Sequence, residues 1–368
     1  MKLVCSREKL LNAVQAAAEV APSRATRPVV QGVLIEVGKG GVELVATDMD
    51  VGLRYRLEVD KVEGEGRAVV SAAMLLAVVR DMIGQEVSLD IRPDKTLIEC
   101  GGSRISLAGM DAGDFPPVEG PGADKTVKLP ANLVVGMMDK VAYAAGQEES
   151  RYAINGVFVR LKKRDLEVVA TDTRRLAVSR TKLDKDTKME RGAILPLKLV
   201  GMLKKLAVGQ EELEMVLREN EAVFACGPAV LVGRLVEGTY PKYEEAIPAD
   251  CDRKLTVGKE LLRGALKQAL NFTTADTRAV ILRPKKDKVE IEAKVPERGE
   301  ASIVIAAEYD GPEMEVAFNP QYLLDAMSRL EKDQAVLELK DIQRPAVLAE
   351  GREYVSVIMP VRLRGEGA

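Results

Sequence analysis

Two short segments carry carboxylates at a spacing that could bind a divalent metal ion. Residues 47–50 read Thr-Asp-Met-Asp, in which Asp48 and Asp50 form an Asp-x-Asp pair, and residues 171–174 read Thr-Asp-Thr-Arg. Carboxylate oxygens are the usual protein ligands of Mg²⁺ and Ca²⁺. The second segment keeps only the first aspartate, Asp172. We therefore expect Asp48 and Asp172 to be turn residues whose side chains bond their own backbone.

Other residue types that support catalysis are scarce. The chain has no histidine, which excludes a Ser-His-Asp triad and most zinc or iron sites. Its cysteines form no Cys-x-x-Cys pair and predict free thiols in a reducing cytosol; they are Cys5, Cys100, Cys226 and Cys251. The glycine-rich segment 38–41 lacks the Lys-Ser/Thr that follows in a phosphate-binding loop. We expect no catalytic residue, metal or cofactor, and keep a metal-dependent enzyme as one alternative.

Composition indicates a soluble globular protein with two or three domains. The chain has 368 residues, of which 46% are hydrophobic and 30% charged. No apolar stretch reaches the length of a membrane-spanning helix, and the N-terminus lacks the apolar core of a signal peptide. We therefore expect a cytoplasmic protein that does not bind membranes. The formal net charge of −3 argues against tight DNA binding through neutralised phosphates.

A threefold internal repeat organises the chain. The segment Val-Glu-Leu-Val-Ala-Thr-Asp begins at Val42, and Leu-Glu-Val-Val-Ala-Thr-Asp begins at Leu166, 124 residues later. A weaker copy begins at Val289, a further 123 residues on. A strand and an amphipathic helix precede each copy, a second helix and two strands follow it, and a proline closes each unit. Such self-similarity predicts three copies of one structural unit.

Periodicity predicts an α+β fold for each unit. Strand residues such as Val33, Ile35 and Val37 alternate with polar ones, which is typical of antiparallel sheets with one solvated face. Helical residues recur at i, i+3, i+4 and i+7, as in Leu10, Leu11, Val14 and Ala18 of the first helix and Leu262, Ala265, Leu266 and Ala269 of the fifth. Two helices packed on two small antiparallel sheets satisfy this pattern.

Segments rich in proline and glycine or polar residues mark two linkers, at residues 116–125 and 247–254. They predict three similar domains, at residues 1–120, 126–247 and 252–368. The polar faces of the helices carry recurrent cations, among them Lys198, Lys205 and Arg263. A mildly basic helical side would attract a polyanion without reading its sequence; an ordinary solvated helix face is the alternative.

Taken together, these features resemble the bacterial DNA sliding clamp, the beta subunit of DNA polymerase III. The resemblance spans essentially the whole chain, and its most specific segments are ATDTRRLA (170–177), RYAINGV (151–157), EGTYPKYEEAIP (237–248), FNPQYLLDAM (318–327) and VIMPVRL (357–363). It implies a non-catalytic, head-to-tail homodimeric ring with helices lining a central hole around duplex DNA. It also implies as partners the replicative polymerase, the clamp loader, translesion polymerases and mismatch-repair proteins.

The resemblance further implies a cleft that binds short linear peptides rich in Gln and Leu. Carried over position by position, this cleft comprises Ile154, Thr171, Thr173, Arg174, Arg175, Leu176, Pro241, Ala246, Val357, Met359, Pro360, Val361 and Arg362, bordered by Asn319 and Tyr322. The Arg175 stem would form its floor and the Arg175 head would meet polar groups of the peptide. Relatives often have Gly and His where this chain has Thr173 and Arg174, and a basic residue where it has Glu245.

Two further sets of residues come from the resemblance. Arg24 and Gln147 are expected to face DNA together with the helix cations. Ile105 and Leu107 are expected to meet Phe272 across the dimer contact. A repeat-built scaffold that binds peptides without encircling DNA, or a clamp paralogue specialised for repair, are the remaining alternatives.

Overall fold

The computed structural model describes residues 1–122, 124–146, 153–274, 278–296 and 298–362. By their internal contacts these residues form two compact units. The first unit combines residues 1–135 and 195–236, and the second combines residues 136–194 and 237–368. No helix in the described part of the chain is both long and apolar enough to cross a membrane.

Six α-helices occur in the described residues: α1 (Arg7–Val20), α2 (Ala72–Asp81), α3 (Ala131–Ala142), α4 (Leu197–Leu206), α5 (Lys259–Leu270) and α6 (Pro320–Met327). Side-chain caps start two of them, as sequence rules for helix N-termini predict. The Ser71 hydroxyl accepts a hydrogen bond from the Met74 amide at α2, and the Asn319 side chain accepts one from the Gln321 amide at α6.

Each repeat contributes a set of strands. The first repeat contains β1 (Lys2–Ser6), β2 (Gly32–Gly38), β3 (Gly41–Thr47), β4 (Val51–Leu57), β5 (Lys61–Glu63), β6 (Gly66–Ser71), β7 (Glu86–Ile91), β8 (Lys95–Cys100) and β9 (Ser103–Met110). The second contains β10 (Val127–Pro130), β11 (Gly156–Lys162), β12 (Asp165–Thr171), β13 (Arg175–Lys182), β14 (Glu190–Pro196), β15 (Glu212–Leu217), β16 (Glu221–Cys226) and β17 (Ala229–Arg234). The third contains β18 (Arg253–Gly258), β19 (Val280–Lys285), β20 (Lys288–Val295), β21 (Gly299–Asp310), β22 (Val316–Phe318), β23 (Gln334–Leu339), β24 (Ala346–Glu350) and β25 (Tyr354–Ile358).

The first unit contains a hydrogen-bonded array of thirteen strands in the order β10-β15-β16-β17-β4-β3-β2-β6-β9-β8-β7-β1-β5. Strand β17 of the second repeat pairs with β4 of the first, and Leu231 lies opposite Leu53. Strand β9 changes partner along its length, since residues 103–108 pair with β8 whereas Gly109 and Met110 pair with β6. Helices α1 and α2 pack on each other, and α1 also packs on β3 and β4.

The second unit contains a twelve-stranded array in the order β14-β11-β12-β13-β25-β24-β23-β18-β21-β20-β19-β22. Here β25 of the third repeat pairs with β13 of the second, and Val357 lies opposite Leu176. Strand β21 also changes partner, from β20 at residues 299–306 to β18 at residues 307–310. Helices α5 and α6 pack together over a core that includes Leu266.

The antiparallel sheets agree with the prediction, but the prediction of two small sheets in each repeat needs a correction. Sheets of neighbouring repeats continue into one another through the β4–β17 and β13–β25 pairs. An isolated small sheet would leave rows of unpaired N–H and C=O groups at its edges. Joining the edges of successive repeats satisfies these groups, and strand periodicity carries no information about which distant edges meet.

The buried helix faces match the prediction in α5 and differ in α1. All four predicted residues of α5 are buried. In α1 the buried face instead comprises Leu10, Ala13, Val14, Ala17 and Val20, while Leu11 and Ala18 are half-buried. An alanine-rich helix offers apolar residues on several faces, so its packing partners decide which face is buried.

Strand β2 also departs from the prediction of one solvated face. Val33 and Ile35 are buried on one face, but Leu34 on the other face is buried as well. Leu34 belongs to a hydrophobic cluster with Phe115 and Val118 of the segment that follows β9. The predicted first linker thus covers the second face of the sheet.

The turns after β3 and β12 have the same geometry, which confirms the interpretation of Asp48 and Asp172. Asp48 Oδ1 accepts hydrogen bonds from the backbone amides of residues 50 and 51 at 3.0 and 2.7 Å. Asp172 Oδ1 accepts from the amides of residues 174 and 175, both at 3.0 Å. Each turn places a non-glycine residue at positive φ, +83° for Met49 and +73° for Thr173.

We expect the substitution Thr173→Gly to raise the free energy of unfolding by about 1 kcal/mol, because an L-residue in the left-handed region costs about 1–2 kcal/mol. The measurement is chemical denaturation of both proteins. Arg174→Gly is the matched control in the same turn: Arg174 has no positive φ, so glycine there should only increase the entropy of the unfolded chain and lower stability. A Thr173→Gly variant that is less stable than the parent would contradict the conclusion that the backbone of Thr173 is strained.

The hairpin between β8 and β9 supports a second prediction. Gly101 and Gly102 both have positive φ, but a Cβ on Gly101 would lie 1.8 Å from the Ile83 carbonyl oxygen, whereas one on Gly102 would meet nothing within 4 Å. Gly102→Ala should therefore cost about 1 kcal/mol of stability, the cost of the left-handed conformation alone. Gly101→Ala should lower the unfolding temperature clearly more, in a thermal melt of both variants. Equal losses would argue against close packing of this hairpin.

Candidate functional site

The β13–β25 pair brings the Arg174–Leu176 segment beside the last described residues of the chain. Arg175 lies opposite Ile358 in this antiparallel pair. The Met359 amide donates to the Arg174 carbonyl at 2.9 Å, and the Val361 amide donates to the Ala317 carbonyl at 2.8 Å. Backbone hydrogen bonds thus place the second-repeat turn, the C-terminal segment and the start of α6 next to one another.

Arg175 is the most constrained side chain of this group. Only 11% of the side chain is exposed. Its Nε donates to Asp172 Oδ2 at 2.9 Å, and its Nη1 donates to Asp325 Oδ2 at 2.6 Å. The guanidinium carbon lies 4.4 Å from the centre of the Tyr322 ring and 5.3 Å from that of Tyr143. Two carboxylates and two aromatic faces therefore hold one cation.

Tyr143 connects this cation to β25. Its hydroxyl lies 2.9 Å from both the Tyr354 hydroxyl and the Ser356 Oγ. Burial raises the pKa of the Tyr143 hydroxyl, so this group stays protonated and remains able to donate. Burial likewise raises the pKa of Tyr354. These hydroxyls fix the ring of Tyr143, and the ring fixes one face of the Arg175 guanidinium.

The expectation that the head of Arg175 binds polar groups of a peptide stays a prediction. The Arg175 Nε and Nη1 already donate to carboxylates of the chain itself. We refer to Arg175, Asp172, Asp325, Tyr143 and Tyr322 as the arginine cage. The cage fixes the position of the guanidinium and of the aliphatic stem.

The equivalent junction in the first unit is built from apolar side chains. Counting by the repeat, the positions of Arg175, Tyr322 and Asp325 correspond to Val51, Leu199 and Met202, which are all buried. Burying ion pairs gives little stability compared with well-packed apolar groups, because desolvation opposes the attraction between the charges. The fold can thus close this junction without charges, which indicates that the arginine cage serves the site.

The apolar residues of the candidate cleft differ in exposure. Leu176 and Val357 are buried, whereas Met359 and Val361 are 41% and 37% exposed. Exposed large apolar side chains that lie near one another are candidates for contact with a partner. Methionine is flexible and can adapt to more than one apolar ligand. Arg174 and Arg362 are exposed beside them.

The candidates from the second linker and from β12 form another group. Tyr240 stacks on Phe158 with 4.8 Å between ring centres, and the amide of Tyr243 donates to the Pro241 carbonyl at 2.8 Å. Pro241 and Ala246 are exposed, and Ile154 is buried. Thr171, whose hydroxyl donates to the Arg175 carbonyl at 2.7 Å, lies opposite Leu176. This strand pair connects the two groups of candidates.

Two residues that were expected at the border have defined roles. Asn319 is buried and caps α6, so its side chain is occupied within the chain. This cap fixes the first turn of α6, on which Tyr322 lies against Arg175. Thr173 is exposed at the tip of the turn.

Sequence reasoning missed Tyr143, Asp325 and Tyr354 as parts of the site. Asp325 lies three residues after Tyr322 on α6, and this spacing puts the two side chains on one helix face. That spacing was a usable signal. Tyr143 and Tyr354 have polar contacts only because α3 and β25 are neighbours in space, and no pattern in the sequence predicts that contact.

The predicted DNA-facing residues differ in their contacts within the chain. Lys198 bonds Asp48 and the carbonyl of Val20, so its ammonium group is engaged within the first unit. Lys205 and Arg263 pair with Glu19 and Glu260 at 2.9 and 2.6 Å. Arg24 is exposed in the loop after α1. Gln147 lies outside the described residues.

The predicted dimer residues are partly accessible. Ile105 on β9 and Phe272 after α5 are half-buried, whereas Leu107 is buried. A Cβ at Gly299 would lie 3.7 Å from the Phe272 ring, so this ring borders the start of β21. Phe272 also packs against the core of the second unit.

Within the described residues, no three His, Cys, Asp or Glu side chains are grouped so that they could hold a metal ion. Asp48 and Asp172 each use Oδ1 in turn hydrogen bonds and Oδ2 in an ion pair, with Lys198 and Arg175 respectively.

Three family models match the chain in succession. They are the N-terminal, central and C-terminal domains of the DNA polymerase III beta subunit, at residues 1–119, 128–242 and 244–362. Curated relatives include the beta sliding clamp of Pseudomonas putida, 30% identical over 99% of this chain and 100% of the relative, and that of Escherichia coli K12, 27% identical over the same shares. A crystal structure of the Pseudomonas aeruginosa sliding clamp superposes with a TM-score of 0.93 at 28% identity and covers 99% of this chain and 100% of that one. This chain therefore belongs to the family of the DNA polymerase III beta subunit, the bacterial beta sliding clamps.

Proposed function

We propose that two copies of this chain close head to tail into a ring around duplex DNA. One observation carries this proposal: the junctions between repeats leave two equivalent strand edges open. The fourth strand of the first repeat, β4, pairs with β17, and its equivalent β13 pairs with β25. By the same repeat, β21 and β9 should pair, and among the described residues no strand covers the outer edge of β21 at 299–306 or of β9 at 103–108.

The repeat also supplies a register for this pair. Leu231 lies opposite Leu53 in one junction, and Ser356 lies opposite Ala177 in the other. Both registers, shifted by one repeat, put Ile105 opposite Ala301 of a second copy. They put Leu107 opposite Gly299, beside the ring of Phe272. Two such contacts between two copies cover both of these edges and close the assembly.

A closed ring reconciles the net charge of −3 with a DNA partner. Retention by topology needs no tight phosphate contacts, and tight contacts would oppose sliding. Exposed Arg24 and the helix cations Lys205 and Arg263 are the groups we assign to DNA, which would be bound without sequence preference. The ring has no chemistry of its own, acts in the cytoplasm, and keeps the replicative polymerase on its template.

We assign peptide docking to the cleft built around the arginine cage. Its exposed apolar residues are Met359 and Val361, which lie beside buried Leu176 and Val357, and its exposed cations are Arg174 and Arg362. The replicative polymerase, the clamp loader, translesion polymerases and mismatch-repair proteins would each dock a short segment there. We assign the three domains to residues 1–120, 126–247 and 252–368.

The ring predicts retention on DNA that depends on topology. After loading by the host's clamp loader, the protein should stay on a nicked circular plasmid and be lost from the same plasmid cut once. The quantity measured is the amount of protein that co-elutes with each form of the plasmid in gel filtration. Equal retention on both forms would favour a scaffold that binds without encircling.

A matched pair of variants tests whether this retention depends on the outer edge of β9. Cys100 lies opposite Ser103 across the two-glycine turn, and the alternation of antiparallel pairs then directs the Ser106 amide away from β8. Ser106→Pro removes that outward donor, whereas Ser106→Ala keeps it. Light scattering should find a monomer for the proline variant and a dimer for the alanine variant, and only the latter should be retained. A dimeric Ser106→Pro variant would contradict this edge contact.

The cleft predicts a loss of peptide affinity without a loss of dimer. Arg175→Ala, or removal of residues 359–368, should weaken binding of a fluorescent Gln- and Leu-rich peptide at least about tenfold, since well-packed central residues dominate such interfaces. Fluorescence anisotropy measures this affinity. Arg180→Ala, at the other end of β13, should bind the peptide as the parent does. Unchanged affinity in Arg175→Ala would overturn the cleft assignment.

A further inference from the structure

A cavity of about 470 Å³ lies in the first unit between the β2–β3–β4 sheet and the segment that follows β9. We call residues 112–122 the first strap. The cavity floor includes Leu34 and Val45, and the strap contributes Pro116, Pro117 and Val118. Pockets that bind small organic groups have volumes of this order.

The second unit contains the same arrangement with the space filled. The second strap, residues 237–247, crosses β11 and β12. Tyr240 stacks on Phe158 with an interplanar angle of 9°. The ring of Tyr243 lies under the Arg160 guanidinium, 5.6 Å from its carbon.

The hydroxyl of Tyr243 occupies a polar end of that space. It accepts a hydrogen bond from Arg160 Nη2 at 2.9 Å and donates one to Glu167 Oε2 at 3.1 Å. Burial would by itself raise the pKa of the Glu167 carboxyl, but hydrogen bonds from Arg180 and Arg160 outweigh burial and hold this pKa below its ordinary value. The carboxylate is therefore available as an acceptor. The chain itself thus shows what this type of space holds: a phenol between a guanidinium and a carboxylate.

The repeat relates the two spaces position by position. Leu34 and Glu36 of the first floor are the counterparts of Phe158 and Arg160, 124 residues later. On the straps, Phe115 and Val118 are the counterparts of Tyr240 and Tyr243, 125 residues later. Phe115 belongs to the hydrophobic cluster under the first strap, and Tyr240 is likewise buried in the second unit. The position of Tyr243 carries valine, so the first space lacks the second aromatic ring.

The polar end of the first space is retained with different residues. Glu43 is the counterpart of Glu167, and it pairs with Arg54 of β4. Arg54 Nη2 also lies 3.2 Å from Glu36 Oε2, and its Nη1 donates to the Val118 carbonyl at 3.2 Å. Arg54 and Glu36 line the cavity, so a guanidinium and a carboxylate meet it at the end that corresponds to the Tyr243 hydroxyl.

We propose that this cavity binds the phenol side chain of a tyrosine supplied by a partner protein. The ring enters beside Pro116 and Pro117 of the strap and packs against the cluster of Leu34, Val45 and Val118, and the hydroxyl accepts a hydrogen bond from Arg54 and donates one to Glu36. The site is independent of the arginine cage, which belongs to the other unit. It gives the clamp a second contact point for a linear segment, one that selects tyrosine over phenylalanine.

The test compares N-acetyl-tyrosinamide with N-acetyl-phenylalaninamide on the full chain, by NMR chemical-shift titration. We expect saturable binding of the tyrosine probe, with a Kd on the order of 1 mM as befits a fragment of this size, and at least about tenfold weaker binding of the phenylalanine probe. Equal affinities, or no saturable binding of the tyrosine probe, would overturn the proposal.

Two variants locate the binding. Val118→Tyr supplies the missing ring from the chain itself and should abolish binding of the tyrosine probe. Val62→Tyr adds the same side chain at an exposed position of the first unit and should leave binding unchanged. Binding that survives in Val118→Tyr would place the probe elsewhere and refute the site.

If Val118→Tyr does not fold, as judged by circular dichroism, Arg54→Met takes its place. Removing the guanidinium should erase the preference for tyrosine over phenylalanine while the ring contacts remain. A preference that persists in Arg54→Met would refute the assigned role of the polar end.

Discussion

Pairing of strand edges between repeats is the interaction on which the rest of this structure depends. Each small sheet has an edge whose backbone N–H and C=O groups need partners. Within each unit the next repeat supplies them, through β4–β17 in one and β13–β25 in the other. These pairs bring residues far apart in the chain to one place. Without the β13–β25 pair, Arg175 and Met359 would not share a site.

The two junctions show how one backbone arrangement carries two chemistries. Val51, Leu199 and Met202 close the first junction as ordinary core, whereas Arg175, Tyr322 and Asp325 occupy the same positions in the second. Buried charges are tolerated when every charge has a partner, and here the cation has two carboxylates and two ring faces. The resulting guanidinium is rigid, so the surface it supports is pre-organised for a ligand.

The segments between repeats act as covers as well as connections. The first strap buries Leu34, and the second stacks Tyr240 on Phe158, on a sheet face that alternation alone assigns to solvent. In both units arginines on the strands hold the strap, Arg54 through the Val118 carbonyl and Arg160 through the Tyr243 hydroxyl. The first strap places one aromatic residue, Phe115, over its sheet, whereas the second places two, Tyr240 and Tyr243. This difference decides whether the space beneath the strap is filled.

Local features of this protein follow from its sequence. The repeat, the Asp48 and Asp172 turns and the buried face of α5 were predictable because they are patterns within the sequence itself, and the family was identified by resemblance. The pairing of Lys198 with Asp48, the rotation of α1 and the arginine cage were not predictable. They depend on which strand edges meet, and that choice is made only when the whole chain satisfies its backbone hydrogen bonds. Tertiary structure alone therefore decided which charges are free and which are occupied.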